Sequence, residues 1–155
     1  MIEAWRLVKA RQAAGAFTGE GARRYGGRWN FPGTSCVYLA DSLPLAAMEL
    51  FLHLGQEGCK ISFVSFRVLI PAAVVQDLDL DQLPRDWRAS PPDDHTKALG
   101  TQWANARQSA ALKVPSAIMP LGRCFNYLIN PAHADYRRVK VEAAQDFTFD
   151  PRMWK

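Results

Sequence analysis

Cysteine is scarce in this chain and poorly spaced for chemistry. Cys36, Cys59 and Cys124 are an odd number with no C-x-x-C pair, which argues against a disulfide framework and against a zinc knuckle. They read as reduced, mostly buried thiols. Long apolar runs are also missing: none approaches the roughly 20 residues that a membrane span requires. The start, Met1-Ile2-Glu3-Ala4-Trp5-Arg6, has no basic segment followed by an apolar stretch, so a cytoplasmic protein is expected. There is no internal repeat, no low-complexity tract and no long linker. Pro91-Pro92-Asp93-Asp94 is the best candidate break and reads as a loop leading into a helix, so a single domain over residues 1–155 is expected. Acidic residues are in the minority, 15 against 19 Lys and Arg, for a net charge of +4. The excess is dense at Arg23, Arg24 and Arg28 and again at Arg137, Arg138 and Lys140, which fits an anionic ligand, an acidic partner or a plainly solvated basic face.

What is present is the material of one ordinary domain, with 48% hydrophobic and 22% charged residues. Ala4 to Val8 reads as a strand, Gly15 to Gly33 as a long glycine-rich loop, and Val37-Tyr38-Leu39 as a short strand. Asp41 or Ser42 can cap a helix from Leu43 to about Leu54, with Pro44 tolerated in its first turn. Ile61 to Val68 is rich in β-branched and aromatic residues and predicts a strand. A second helix is expected over His95 to Ala111, capped by Asp93 or Asp94. Short strands are expected near Val114 to Met119, Val139 to Val141 and Phe147 to Phe149. Strands and helices do not alternate regularly, so the expected class is α+β, a compact fold of short mixed strands with a few helices.

Two features carry chemistry. The first is Tyr25-Gly26-Gly27-Arg28-Trp29-Asn30, where glycines permit close backbone approach beside a guanidinium, and Trp29 and Asn30 supply stacking area and hydrogen bonding. The second is Glu49 within Leu45-Ala46-Ala47-Met48-Glu49-Leu50-Phe51-Leu52-His53-Leu54, apolar on almost every side, so the helix and its carboxylate are expected to be buried. A buried carboxylate needs an arginine, a tyrosine hydroxyl or a ligand hydroxyl. An ion pair with Arg6 or Arg28 is one outcome. His53, one turn beyond Glu49, offers a second metal ligand on the same face, but no third ligand has suitable spacing, and no metal is expected. No cysteine sits with a histidine in a recognisable nucleophile context.

One carboxylate, one arginine and aromatic rings suit displacement at a ribose anomeric carbon whose leaving group is already cationic, as in expelling nicotinamide from NAD⁺. Ordinary glycoside hydrolysis needs a second carboxyl group to protonate the leaving oxygen; nicotinamide leaves as a neutral base. A glutamate can then accept from a ribose hydroxyl and stabilise oxocarbenium-like charge while an arginine grips the pyrophosphate. The competing reading is a non-enzymatic nucleic-acid binder built on Arg23, Arg24, Tyr25, Arg28 and Trp29, which leaves Glu49 without a role.

The chain also resembles the RES-domain family, the toxin half of RES–Xre toxin–antitoxin pairs, nearly end to end. The resemblance runs through Trp5-Arg6, Phe17-Thr18-Gly19-Glu20-Gly21-Ala22, Gly27-Arg28-Trp29-Asn30, Val37-Tyr38-Leu39-Ala40, Ala46-Ala47-Met48-Glu49, Val114-Pro115-Ser116-Ala117, Asn126-Tyr127-Leu128-Ile129-Asn130-Pro131 and Phe149-Asp150-Pro151-Arg152. It implies an ADP-ribosyltransferase-like fold that destroys NAD⁺ as substrate with no separate cofactor. It further implies Arg28, Glu49 and Ser116 as the name-giving trio, with Tyr38 completing an Arg-Tyr-Glu arrangement. With the residue reading added, Arg28, Tyr38 and Glu49 are the expected catalytic residues, and Arg6, Trp29, Asn30, Ser116 and Asn126 are expected at the substrate. The partner the resemblance implies is an Xre-type helix-turn-helix antitoxin that blocks the site in a hetero-oligomer, with no membrane and no direct nucleic-acid contact. From the residues alone, a serine after proline in an apolar strand reads as an ordinary strand serine.

Overall fold

Strand β1 (Ile2–Lys9) is the axis of the molecule, and the computed structural model describes it together with the rest of residues 1–155. Its neighbour β3 (Phe63–Ile70) is an almost unbroken apolar run, buried at nearly every position as a strand covered on both faces must be. The two pair antiparallel from Ile2↔Ile70 to Lys9↔Phe63. On its other side β1 meets β2 (Val37–Ala40) at Trp5↔Ala40.

Around this pair lie α1 (Glu20–Tyr25), α2 (Leu43–Phe51), β4 (Val75–Asp77), α3 (Asp94–Ala106), β5 (Ala111–Pro115), β6 (Phe125–Ile129), β7 (Lys140–Val141) and β8 (Gln145–Phe147). The strands form one eight-stranded sheet in the order β4-β5-β6-β2-β1-β3-β7, with β8 also on β3. Only β4 and β5 are parallel; the other pairs are antiparallel. The architecture is α+β, as the irregular element order implies.

Three apolar groups hold the layers. Ala4, Val8, Val37, Val68 and Ile70 pack on one side of the central strands. Trp29, Trp87 and Trp103 pack with Leu112, Val114 and Leu128 under α3. Leu7, Ala40, Leu45, Ala46, Phe63 and Phe149 pack under α2. Phe149 stands edge-on to Phe63, Phe147 and Trp154, so the chain's C-terminal turn closes over the base of α2.

Several expectations need correcting. The segment from Gly15 to Gly33 is not a bare loop, because α1 occupies its middle and the preceding Ala10–Gly15 is a 3₁₀ turn. Its glycines mark helix ends: Gly19 (φ 76°) and Gly26 (φ 71°) take left-handed backbone on either side of α1. Helix α3 stops five residues early, at Ala106, where Arg107 turns left-handed (φ 51°), and Ala111 already begins β5. Strands β4 and β6 have no counterpart in the sequence reading. Helix α2 is buried on one face only: Met48 is 45% exposed, and Leu52, just past its end, is 63% exposed. Of the cysteines, only Cys36 is buried; Cys59 and Cys124 are partly exposed.

Candidate active site

Ser42 starts α2, its Oγ accepting the Leu45 N–H at 3.2 Å, and Pro44 sits in the first turn where no N–H is needed. Leu45 and Ala46 turn one face of the helix into the core against Leu7 and Ala40. That orientation aims Glu49 at the adjoining ends of β5 and β6. There Asn126 Nδ2 donates to Oε1 at 2.8 Å and Ser116 Oγ donates to Oε2 at 3.2 Å. Ser116 and Asn126 are 1% and 9% exposed, so both donors are fixed before any ligand arrives. Ser116 is held by its own N–H on the Cys124 carbonyl, and Asn126 by a second bond from Nδ2 to the Leu39 carbonyl.

No cation meets Glu49, in contrast to the ion pair that its burial had made one outcome. Burial raises its proton affinity above the ordinary carboxylate value. The Asn126 and Ser116 hydrogen bonds oppose that rise, and the nearby charge of Asp41 adds to it. The acid is therefore less isolated than its sequence neighbours imply. Asp41 follows β2, and because Ser42 takes the capping role, its Oδ2 is free to accept the Phe125 N–H at 2.8 Å. Its possible use as a cap hid this second role.

The glycine–arginine segment is built around Tyr38. A methyl at Gly27 would lie 2.6 Å from the Tyr38 hydroxyl, so only glycine fits. That hydroxyl donates to Asn30 Oδ1 and accepts the Trp29 N–H at 3.1 Å. Burial pushes its proton affinity far above the usual phenol range. Asn30 is 1% exposed, and its Nδ2 donates to the carbonyls of Ala22, Phe31 and Thr34, which ties α1 to the turn. Gly100 of α3 lies so close to the Trp29 carbonyl that a side chain there would overlap it, and Thr101 Oγ1 accepts the Phe31 N–H at 2.9 Å.

This geometry corrects the reading of Trp29 and Asn30 as ligand-facing groups. Trp29 is 2% exposed and its ring packs at 6.2 Å against Trp87, leaving no free face to stack on a base or a nicotinamide. Asn30 spends both ends of its amide on the protein. Arg6 is likewise interior: its Nε donates to the Ala16 carbonyl at 2.6 Å and its Nη1 to the Tyr38 carbonyl at 3.0 Å, fastening β1 to β2 and the first turn. Arg28 points the other way, with Nη1 donating at 2.9 Å to both the Trp87 and Ala89 carbonyls.

The structure thus makes one cluster of Glu49, Ser116 and Asn126 and another of Arg28, Trp29, Asn30 and Tyr38, with Arg6 beneath the second. Strand β2 joins them: Tyr38 supports the arginine turn, while the next residue, Leu39, holds Asn126. His53 is exposed, and nowhere in the chain do three or more His, Cys, Asp or Glu side chains converge. Arg23 and Arg24 both pair with Glu20 on the surface of α1, which reduces the free charge that nucleic-acid binding would use. Tyr25 remains the exposed ring of this segment at 81%. Two cavities, of about 340 Å³ beside Lys9, Arg11 and Ile61 and about 470 Å³ between β4 and α3, share no residue with either cluster. The chemistry of a site lies instead with Glu49, a fixed acid whose proton affinity burial raises, as catalytic sites arrange.

The RES domain model matches residues 3–150 of the chain. A relative named Toxin Res from Photorhabdus laumondii is 35% identical over 152 residues, covering 97% of this chain and 96% of its own. The Prs ADP-ribosylating toxin of a Sphingobium species is 34% identical over 154 residues, covering 96% and 94%. The crystal structure of the M. tuberculosis MbcT-MbcA toxin-antitoxin complex contains a chain of similar fold, with a TM-score of 0.75 at 20% identity over 98% of this chain and 86% of that one. The chain belongs to the RES domain family.

Proposed function

We propose that this chain is the toxin of a toxin–antitoxin pair and cleaves NAD⁺ at the nicotinamide–ribose bond. The observation that carries the reading is Glu49: a half-buried carboxylate, each oxygen held by one neutral donor, with no cation on it. Each oxygen keeps a lone pair for a substrate hydroxyl. As the bond to nicotinamide lengthens and positive charge grows on the ribose, the ionised acid stabilises it, and the neutral pyridine departs without a proton. Ser116 and Asn126 are positioning groups in this scheme. Tyr38 acts at one remove, by fixing the turn that carries Arg28.

The relatives, named as toxins and as an ADP-ribosylating toxin, support the same reading. The likeness to a toxin–antitoxin complex supports a protein inhibitor as partner, and the RES resemblance makes an Xre-type helix-turn-helix protein the candidate. The burial of Trp29 and the Glu20 pairing of Arg23 and Arg24 weigh against the nucleic-acid reading. The test is NMR of NAD⁺ incubated with purified protein, alone, with inorganic phosphate and with cell extract. Release of free nicotinamide is expected, and the acceptor that accelerates it identifies the reaction as hydrolysis, phosphorolysis or ADP-ribosyl transfer. NAD⁺ left intact in all three mixtures refutes the reading.

A further inference from the structure

The connection between β4 and α3 brings a second arginine to the site. Trp87 anchors this loop by packing on Trp29, and Arg28 donates to the carbonyls on both sides of residue 88. Arg88 itself reaches across the site, its Nε donating to the Ala117 carbonyl at 2.8 Å. Ala117 follows Ser116, the residue that holds Glu49. A continuous chain therefore runs from Arg28 through the loop and Arg88 to Ser116 and the carboxylate.

The two guanidinium groups are differently engaged. Arg28 is half-buried and spends Nη1 on two main-chain carbonyls. Arg88 is exposed and spends only Nε, so Nη1 and Nη2 have no protein partner. Neither arginine is hydrogen-bonded to a carboxylate. The acid whose charge acts on Arg28 is Asp93, whose Oδ1 already accepts the His95 N–H at 3.0 Å as the α3 cap. Two like charges held close by carbonyls, with an exposed pair of parallel donors, form a receptor for an anion with several oxygens.

We infer that Arg88 grips the pyrophosphate of the dinucleotide, and that Arg28 positions Arg88 by clamping the carbonyls of residues 87 and 89. This rests on the NAD⁺ reading and extends it. It places the ribose bearing nicotinamide at Glu49 and the phosphates toward Ala117 and Arg88. A sequence view could not single out Arg88 among Arg85, Arg88 and the acids around them; only the loop's return to Trp29 does so.

Steady-state kinetics on purified protein test it. Arg88→Ala is expected to raise KM for NAD⁺ by roughly 10- to 100-fold, the worth of one or two charge-assisted hydrogen bonds, with kcat within a few-fold of wild type. Arg88→Lys should fall between, since a point charge replaces a fork. Arg85→Ala, an exposed cation with no hydrogen bond, should match wild type. With nicotinamide riboside, which has no phosphate, Arg88→Ala and wild type should turn over equally. If wild type consumes NAD⁺ and Arg88→Ala leaves KM unchanged, or impairs riboside and NAD⁺ alike, the assignment is wrong and Arg88 is only a loop strut. If wild type consumes neither substrate, the NAD⁺ reading falls first and this inference with it.

Discussion

Replacing Glu49 by glutamine separates the cost of the site from its use. The amide can keep both contacts, its Oε1 accepting from Asn126 and its Nε2 donating to Ser116 Oγ, so packing is preserved. What disappears is the charge. In wild type, burial holds the proton affinity of Glu49 above the ordinary carboxylate value. The folded state therefore binds its proton more tightly than the unfolded chain does, and ionising the acid costs stability once the pH rises above the ordinary carboxylate range of about 4. Glu49→Gln carries no such cost. It is expected to melt above wild type at pH 7. The two curves should converge as the pH falls to about 4. Turnover of NAD⁺ should drop by about 10²- to 10³-fold, as when a preorganised charge-stabilising group is removed elsewhere. Calorimetric melting from pH 4 to 8 beside a nicotinamide-release assay gives both readings. Turnover within a few-fold of wild type would remove Glu49 from the chemistry, and a variant less stable than wild type at every pH would show that the charge is not buried at a cost.

Two other substitutions probe the surroundings. Tyr38→Phe strips the Trp29 N–H of its acceptor and the buried Asn30 Oδ1 of its donor, each loss worth about 1–3 kcal/mol. It should lower Tm markedly and speed hydrogen exchange at the Trp29 amide, and an unchanged melting curve refutes this use of the hydroxyl. Asp41→Asn keeps an oxygen for the Phe125 N–H but deletes the negative charge that raises the proton affinity of Glu49. Asp41 is the one ionised side chain whose charge acts on Glu49. In the proposed reaction Glu49 acts ionised, so the acid limb of kcat/KM against pH should move to lower pH in Asp41→Asn; a limb that stays or moves up contradicts the arrangement.

The legible part of the fold was the part with strong local signals. A β-branched run made β3, a serine cap and proline made α2, and Asp93 began α3. Strand β6 escaped because Phe125-Asn126-Tyr127 carries a polar residue where a buried strand is expected to be apolar; Asn126 pays for its burial with bonds to Leu39 and Glu49, neither of them near in sequence. The early end of α3 is set by a left-handed Arg107, a residue type with no preference for that conformation. In the site, Glu49 stood out as an acid in an apolar helix. Which partners met it was not legible, since Ser116 and Asn126 approach across strand pairings that only the folded sheet creates. Trp29 misled for a physical reason: beside glycines an aromatic reads as a ligand platform, but these glycines make room for Tyr38 and flank α1 instead.

The absence of a cation on Glu49 matters for how the site can work. An arginine paired with this acid would lower its proton affinity and hold it firmly, yet a substrate hydroxyl would then have to displace a desolvated ion pair before binding, a step that costs several kcal/mol. Neutral donors hold the carboxylate in place without competing for its charge. The guanidinium groups are kept apart by the same economy, with Arg6 and Arg28 fastened to main-chain carbonyls and Arg88 left with two open nitrogens. Charge of each sign is thus available at separate points, which on the NAD⁺ proposal serve the ribose that gains positive charge and the phosphates. NAD⁺ has its own charges distributed in that order, with a phosphate pair on one side of the ribose and, on the other, a pyridinium whose positive charge passes to the sugar as the neutral base departs. On the NAD⁺ proposal, the unpaired state of the acid is therefore what lets such a ligand span both clusters at once.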